Sequence, residues 1–435
     1  MKRHTPIFFV IALLVSLTAC GGQTDTPGQR GQAKAKNETK AKADKSHQPT
    51  VSLVSTIKKA DVDKAIELAA GYMKRHVRKN GQFVYETHPN PAVPIVPEYN
   101  ILRHCGTLYA LAHYHIHAKG DLSVLVKGTG FVIRDCLSPL SDEHPKLLAI
   151  WSHPEITLVG RPLQAKLGGA GLALIAFSTI DKVKPGAVPI HKCQQVAEFI
   201  MHMQKKDGSY FSVYYPFSGG KSALWTSLYY PGEAALGLLL LHHRDKDQRW
   251  LDTAARTVNF LVTSQEKKKE VLKDHWILLT LERYLPLHDK VTKKDQIDRQ
   301  RILQHAQRTL TMFLDEQEPQ DGHKDYDGSF TSDGLTNPAA TRLEGMLAAL
   351  NFVPESETEL RQRLSNSIQK GIRFLLRSQY DKGRLRGGWP RAIKPLKPGH
   401  EYYSITFNRI APSVRIDNVQ HAMSALLRFR EVYYP

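Results

Sequence analysis

Two kinds of apolar pattern alternate along this chain. Six stretches open on polar or glycine residues and then turn almost uniformly apolar. They begin near Asn100 (NILRHCGTLYALAHYH), Gly168 (GGAGLALIAFSTI), Gly232 (GEAALGLLLLHH), Asp274 (DHWILLTLERY), Pro338 (PAATRLEGMLAAL) and Arg415 (RIDNVQHAMSALLRF). A helix that is apolar all round is buried on all sides. Between these lie six amphipathic segments with charged outer faces, near 60–77, 121–134, 189–204, 248–264, 296–314 and 358–379. Their apolar residues recur at 3.6-residue spacing, which predicts surface helices. The order is surface helix, then buried helix, six times over.

Such internal self-similarity signals a repeat array. An open solenoid would have shorter repeats built from two comparably amphipathic helices, whereas a closed ring accounts for an inner set that is apolar throughout. The expected fold is therefore all-α, an (α/α)6 toroid of six helical hairpins over residues 56–435. Turns of one kind follow several surface helices: Asn80-Gly81-Gln82-Phe83, Asp207-Gly208-Ser209-Tyr210, Asp327-Gly328-Ser329-Phe330 and Gly387-Gly388-Trp389-Pro390. Asn-Gly and Asp-Gly tolerate positive φ and form turns, after which the aromatic can fold onto the end of the ring.

With this repeat order, and with the Gln…Asp-Gly-aromatic turns from Gln204 to Tyr210 and from Gln317 to Phe330, the chain resembles the α/α-toroid superfamily. That superfamily includes six-hairpin glycosidases, the helical domain of glucuronyl C5-epimerases and the prenyltransferase/cyclase group. The resemblance implies an architecture and names no substrate, because the fold hosts unrelated chemistries.

In such a ring the inner helices are parallel and their N-termini open at one mouth. The residues that would converge there are Tyr99, Asn100, Arg103, His104, Lys166, Tyr230, Glu233, Asp274, His275, Trp276, Arg342, Glu344, Arg415, Asp417, Gln420 and His421. Asn100, Asp274 and Asp417 also suit helix caps and first turns. Arginine at a helix N-terminus is electrostatically disfavoured, so Arg103, Arg342 and Arg415 need acidic partners such as Glu233, Glu344 or Asp417. Two chemistries stay open. Glu233 with Asp274 could serve as acid and base at a glycosidic bond. Alternatively His104, His275 or His421, with Tyr230, could abstract a proton beside a uronate carboxylate that an arginine neutralises. Trp225, Tyr229, Tyr230, Trp276 and Trp389 are candidates to stack on sugar faces. The long stretch from Tyr380 to Val414 is expected to act as a lid or gripping loop.

No cofactor is expected, and no metal, since no HExxH or CxxC spacing is present. Nothing resembles a serine nucleophile elbow or a phosphate-binding glycine loop.

The chain has 435 residues and a net charge of +18, from 60 Lys+Arg against 42 Asp+Glu. Ten basic and three acidic residues fall within residues 1–60, which leaves a dilute +11 for the rest and no basic platform interleaved with aromatics. Nucleic acid is therefore not expected as a partner. Lys2 and Arg3 precede an apolar run from Pro6 to Leu17, too short to span a bilayer, which predicts an export signal over 1–19. Leu17-Thr18-Ala19-Cys20 resembles the lipobox of bacterial lipoproteins, in which the cysteine is lipidated, and Gly21 resembles outer-membrane sorting. Residues 20–55, lacking aromatics and rich in Lys, Ala, Gly and Thr, read as a flexible tether.

The expectation is thus a lipoprotein anchored through Cys20, facing the periplasm from the outer membrane. Its toroid mouth would act on carbohydrate, acidic ones included, by hydrolysis or by lyase/epimerase chemistry. The alternative is a non-catalytic lipoprotein that binds glycan or protein during envelope assembly. Cys105, Cys136 and Cys193 allow at most one disulfide.

Overall fold

Six helices form an inner ring: α2 (Ile101–His117), α5 (Leu167–Val183), α7 (Tyr230–Asp245), α9 (His275–Tyr284), α11 (Thr336–Ala349) and α14 (Ile416–Tyr433). Each packs against the next, and α14 packs back on α2, so the ring is closed. Six more lie outside it: α1 (Lys59–Arg75), α3 (Ser123–Asp135), α6 (Ile190–Met203), α8 (Gln248–Thr263), α10 (Arg299–Gln317) and α12 (Thr358–Ser378). This computed structural model describes residues 55–158, 160–317 and 325–435. The expected export signal, Cys20 and the tether up to residue 54 lie outside the described residues.

The (α/α)6 toroid anticipated from periodicity is the fold observed, with each predicted helix within a few residues of its place. The inner helices earn their position by composition. In α5 and α7 most residues are buried, and glycines let the two backbones approach closely. A Cβ on Gly171 would lie 2.7 Å from the Ala234 nitrogen, and one on Gly237 would lie 2.8 Å from the Gly171 carbonyl oxygen. The outer helices bury one face only, as their amphipathic spacing requires.

The repeated turns are structural joints. Gly81, Gly208, Gly328 and Gly387 all have positive φ, between 80° and 96°. Each sits against the backbone of the next outer helix: a Cβ would fall 2.1 Å from the Lys127 carbonyl oxygen on α3, 2.3 Å from Arg256 on α8, 2.2 Å from Lys370 on α12 and 1.9 Å from Leu68 on α1. Three of these joints carry a glutamine at the end of the preceding helix. Gln204 donates to the Gly208 and Thr253 carbonyls, Gln317 to Gly328 and Ser367, and Gln379 to Gly387 and Ala65. The aromatics that follow, Phe83, Tyr210, Phe330 and Trp389, are all buried. Trp389, expected to stack on a ligand, is instead fully buried and donates its indole N–H to the Leu375 carbonyl at 2.7 Å.

The sequence pattern did not reveal a small β apron. Strands β2 (Leu137–Pro139), β3 (Leu148–Ser152), β4 (Gln164–Lys166), β5 (Val213–Tyr215) and β6 (Gly220–Ser222) pair antiparallel in chain order, and β1 (Glu86–Thr87) pairs with β7 (Val414–Arg415). Strands of two to five residues are too short for alternation to register. Because β4 and β7 run directly into α5 and α14, the apron belongs to the end where the inner helices begin. Short helices α4 (Pro154–Thr157) and α13 (Ile405–Ile410) complete the connections. Cys105, Cys136 and Cys193 are buried free thiols.

The joint that closes the ring makes a sharp test. Gly387→Ala must place a Cβ into the Leu68 carbonyl, so we expect a loss of about 2–3 kcal/mol. Gln379→Leu, which strands two carbonyls, should cost about 2 kcal/mol. Thermal unfolding followed by circular dichroism checks both. An unchanged midpoint in Gly387→Ala would mean that the joint does not hold the ring.

Candidate active site at the ring mouth

A cavity of about 300 Å³ opens where the inner helices begin, and all six contribute to its wall. The lining comes from their starts: Asn100, Leu102 and Arg103; Leu172; Tyr229, Tyr230 and Glu233; His275 and Trp276; Asn337, Pro338, Thr341 and Arg342; Asp417, Gln420 and His421. Parallel inner helices thus bring side chains from positions 100 to 421 into one small space. Gly168 and Gly106 leave room for them. A Cβ on Gly168 would meet a Glu233 carboxyl oxygen at 2.3 Å and the Tyr230 ring at 2.4 Å, and one on Gly106 would meet the Gln420 amide at 2.4 Å.

The cations of the mouth are paired. Arg103 Nε lies 2.9 Å from Asp417 Oδ2, and Arg415 Nε lies 2.6 Å from Asp417 Oδ1. Burial pushes the Asp417 carboxyl up, but Arg103 and Arg415 outweigh it and hold it well below the usual carboxylate range. Arg342 Nε lies 2.9 Å from Glu316 Oε2, and Lys273 also reaches Glu316, at 2.7 Å. The sequence reading asked each arginine for an acidic partner. Asp417 is one it named, while Glu316, at the end of α10, is one it missed. Arg415 was expected to bind substrate, yet it stands behind Asp417 and off the cavity wall.

Two carboxyl groups are in the opposite state. Glu233 lies on the wall, and its Oε2 is buried without a hydrogen-bond partner. Burial, and then the neighbouring Asp274, push its pKa well above the usual carboxylate range. Asp274 caps α9, its Oδ1 accepting from the Trp276 N–H at 2.9 Å. Burial pushes it up to about 8, against the pull of that amide. Asp274 is not among the lining residues, so the expected pairing of Glu233 and Asp274 across a glycosidic bond is not what the geometry provides.

Histidines supply the titratable pair on the wall. Their ring centroids lie 5.5 Å apart for His275 and His421, with planes at 79°. His421 Nδ1 is 2.7 Å from Oε2 of Glu344, a fully buried residue just behind the wall. His275 Nε2 is 3.7 Å from the same oxygen, beyond hydrogen-bond range, and neither of its ring nitrogens has a hydrogen-bond partner. Burial, then the His421 and Arg342 charges, push the His275 pKa well below the ordinary value, which keeps the ring neutral at neutral pH. Trp276 backs both imidazoles, at 4.8 Å and 6.2 Å between centroids, and Tyr229 meets His275 edge-on at 6.1 Å. The ligand atoms of His275, Glu344 and His421 all lie within 4.8 Å of one another, spacing that would admit a metal ion.

His104 belongs elsewhere. It is fully buried, with Nδ1 2.6 Å from the Tyr99 hydroxyl and Nε2 3.0 Å from the Gly128 carbonyl on α3. One residue beyond Arg103, it points about 100° around the helix from it. The Tyr380–Val414 stretch contributes no residue to the cavity wall. It packs on the ring end through Arg391 paired with Glu86 and through its Arg391 and Pro390 carbonyls, which receive Thr336. Sequence reasoning missed Leu102, Leu172, Asn337, Pro338 and Thr341. For Asn337 the signal was a polar residue just before Pro338, one position outside the start assigned to that helix.

No family model matches the chain, and no curated protein matches it. Solved structures do. A D-mannose isomerase superposes with a TM-score of 0.59 at 12% identity, covering 86% of this chain and 98% of that one. The GH76 alpha-mannanase of Bacteroides thetaiotaomicron gives 0.57 at 9% identity over 86% and 97%. The cellobiose 2-epimerase of Spirochaeta thermophila gives 0.56 at 12% identity over 87% and 99%. At these identities the likeness is one of fold, and it spans nearly the full length of each neighbour.

Asp274 yields a signed pH prediction. A carboxyl raised by folding contributes stability that is complete below the ordinary Asp range and is lost as pH rises toward 8, at up to about 1.4 kcal/mol per pH unit. Asp274→Asn retains a capping oxygen and cannot ionise. Its thermal midpoint, compared with that of the unsubstituted chain, should improve steadily from pH 4 to pH 8. A difference independent of pH would show that Asp274 is already ionised in the folded state.

Proposed function

We propose that this protein is a carbohydrate-active enzyme that moves a proton at carbon in a neutral reducing sugar, as an epimerase or isomerase. The observation that carries this reading is the His275–His421 pair on the cavity wall, with Glu344 behind it. An Nδ1–H of His421 donated to Glu344 leaves Nε2 with its lone pair, the form required of a base. His275, neutral and without hydrogen-bond partners, has one N–H to give and one lone pair to receive with. An open-chain sugar bound in the cavity against the pair can lose its C2 proton to one imidazole and form an enediol. A proton returned to the opposite face of C2 gives the epimer, and one returned to C1 gives the ketose. Protonated Glu233 can donate to the carbonyl oxygen as negative charge develops there.

Hydrolysis is less well served. It needs an acid and a free ionised carboxylate across the bond, yet on this wall Asp417 is tied by two arginines. Arg103 and Arg342 are already paired, which favours a neutral sugar over a uronate. About 300 Å³ lies at the small end of ligand sites and suits a mono- or disaccharide. Neighbours of the same fold named as mannose isomerase and cellobiose 2-epimerase accord with this reading, while those named as mannanases and glucuronyl hydrolases keep hydrolysis as the competitor. We place the enzyme on the periplasmic face of an outer membrane, anchored through Cys20; the lipobox-like run Leu17–Cys20 supports this.

Two experiments test the proposal. Mannose, glucose and cellobiose incubated in D2O should acquire deuterium at C2 of the reducing sugar, read by NMR. His421→Gln and His275→Gln should each slow exchange by about 10³-fold. Glycoside cleavage that survives both substitutions but is lost in Glu233→Gln would replace the reading with hydrolysis. Sugar binding with no turnover would leave a binding protein. Cys20→Ala should shift the protein from the membrane to the soluble fraction, and continued attachment would exclude the lipid anchor.

A further inference from the structure

Far from the mouth, the C-terminal ends of α2 and α14 meet across the seam where the first and last inner helices close the ring. His113 and His117, one helical turn apart on α2, present the same side, and α14 faces them with Glu431. The Nε2 atoms of both histidines lie 2.7 Å from one and the same carboxyl oxygen, Glu431 Oε1. The His113 and His117 rings stand 5.7 Å apart between centroids.

We propose that His113, His117 and Glu431 form a site for a divalent transition-metal ion, zinc being the representative. Two imidazoles and one carboxylate are the ligand set of a three-residue zinc site, which leaves a fourth position for water. The three ligand atoms all lie within 4.8 Å of one another. Zinc bonds of about 2.0–2.1 Å in a tetrahedral site separate the ligand atoms by about 3.3 Å. Replacing the two N–H···O contacts by an ion therefore needs each to lengthen by about 0.6 Å. The Glu431 and His117 side chains have room for that movement, being 40% and 28% exposed. Two features weaken the site. Metal on Nε2 leaves a proton on His113 Nδ1, which is buried without a partner, and the Arg428 charge acts on Glu431. Affinity in the micromolar range follows, well short of the tightest structural zinc sites.

The test uses the full-length chain, stripped with chelator and titrated with zinc chloride, read by calorimetry and by thermal midpoint. One equivalent should bind and raise the midpoint. His117→Gln and Glu431→Gln, which retain hydrogen-bonding groups, should each weaken binding by about 100-fold and abolish the thermal shift. His421→Gln, at the mouth, should leave both unchanged. No zinc uptake well above micromolar concentration would overturn the proposal. So would equal binding by the His117 and Glu431 variants, or binding lost only in His421→Gln, which would move the ion to the mouth.

Discussion

A ring of six helices has no free edge, so the two ends of the repeat must meet in register, and the rest of this structure depends on that closure. It is made at several heights. Outside, the Gln379–Gly387 joint after α12 seats on α1 by the same contacts that link earlier repeats. At the mouth, β1 pairs with β7, and Arg103 on α2 meets Asp417 on α14. At the far end, His113 and His117 meet Glu431. Between these levels, apolar side chains of α14 fill the space between α2 and α11.

Alternation of outer and inner helices makes every inner helix run one way, and closure gathers their six starts around one cavity. Six N-termini at one end bring their unpaired amides and first-turn side chains together inside an apolar wall. Burial then sorts the charges. An acid flanked by two arginines is held low, as Asp417 is, while Glu233 and Asp274, without such partners, are pushed up. The arginines of the mouth and its acids satisfy one another, and the two imidazoles stand outside those ion pairs.

The helices were legible because burial leaves a one-dimensional trace. A segment apolar on all faces and one apolar on a single face differ in composition and period, and twelve such segments in alternation admit few arrangements. The joint glycines were equally visible, since positive φ restricts residue choice. What periodicity could not resolve was direction at the level of single residues. Arg103 and His104 are neighbours at a helix start, yet one lines the cavity and the other is sealed against α3. Asp274 and His275 divide in the same way, into a cap and a wall residue. Trp389 reads like a sugar platform and serves as core.

From sequence alone came the ring, its order and the end at which polar groups gather, because these follow from local periodicity repeated along the chain. Tertiary structure alone decided which of those groups face one another. His421 and Glu344 are 77 residues apart, and Arg342 finds Glu316 from a different helix. The His113–His117 spacing is local, but its third ligand lies 314 residues beyond His117 and reaches it only when the ring closes. Pairings across a closed ring depend on helix rotation and rise, quantities set by packing against neighbours, and no single segment carries them.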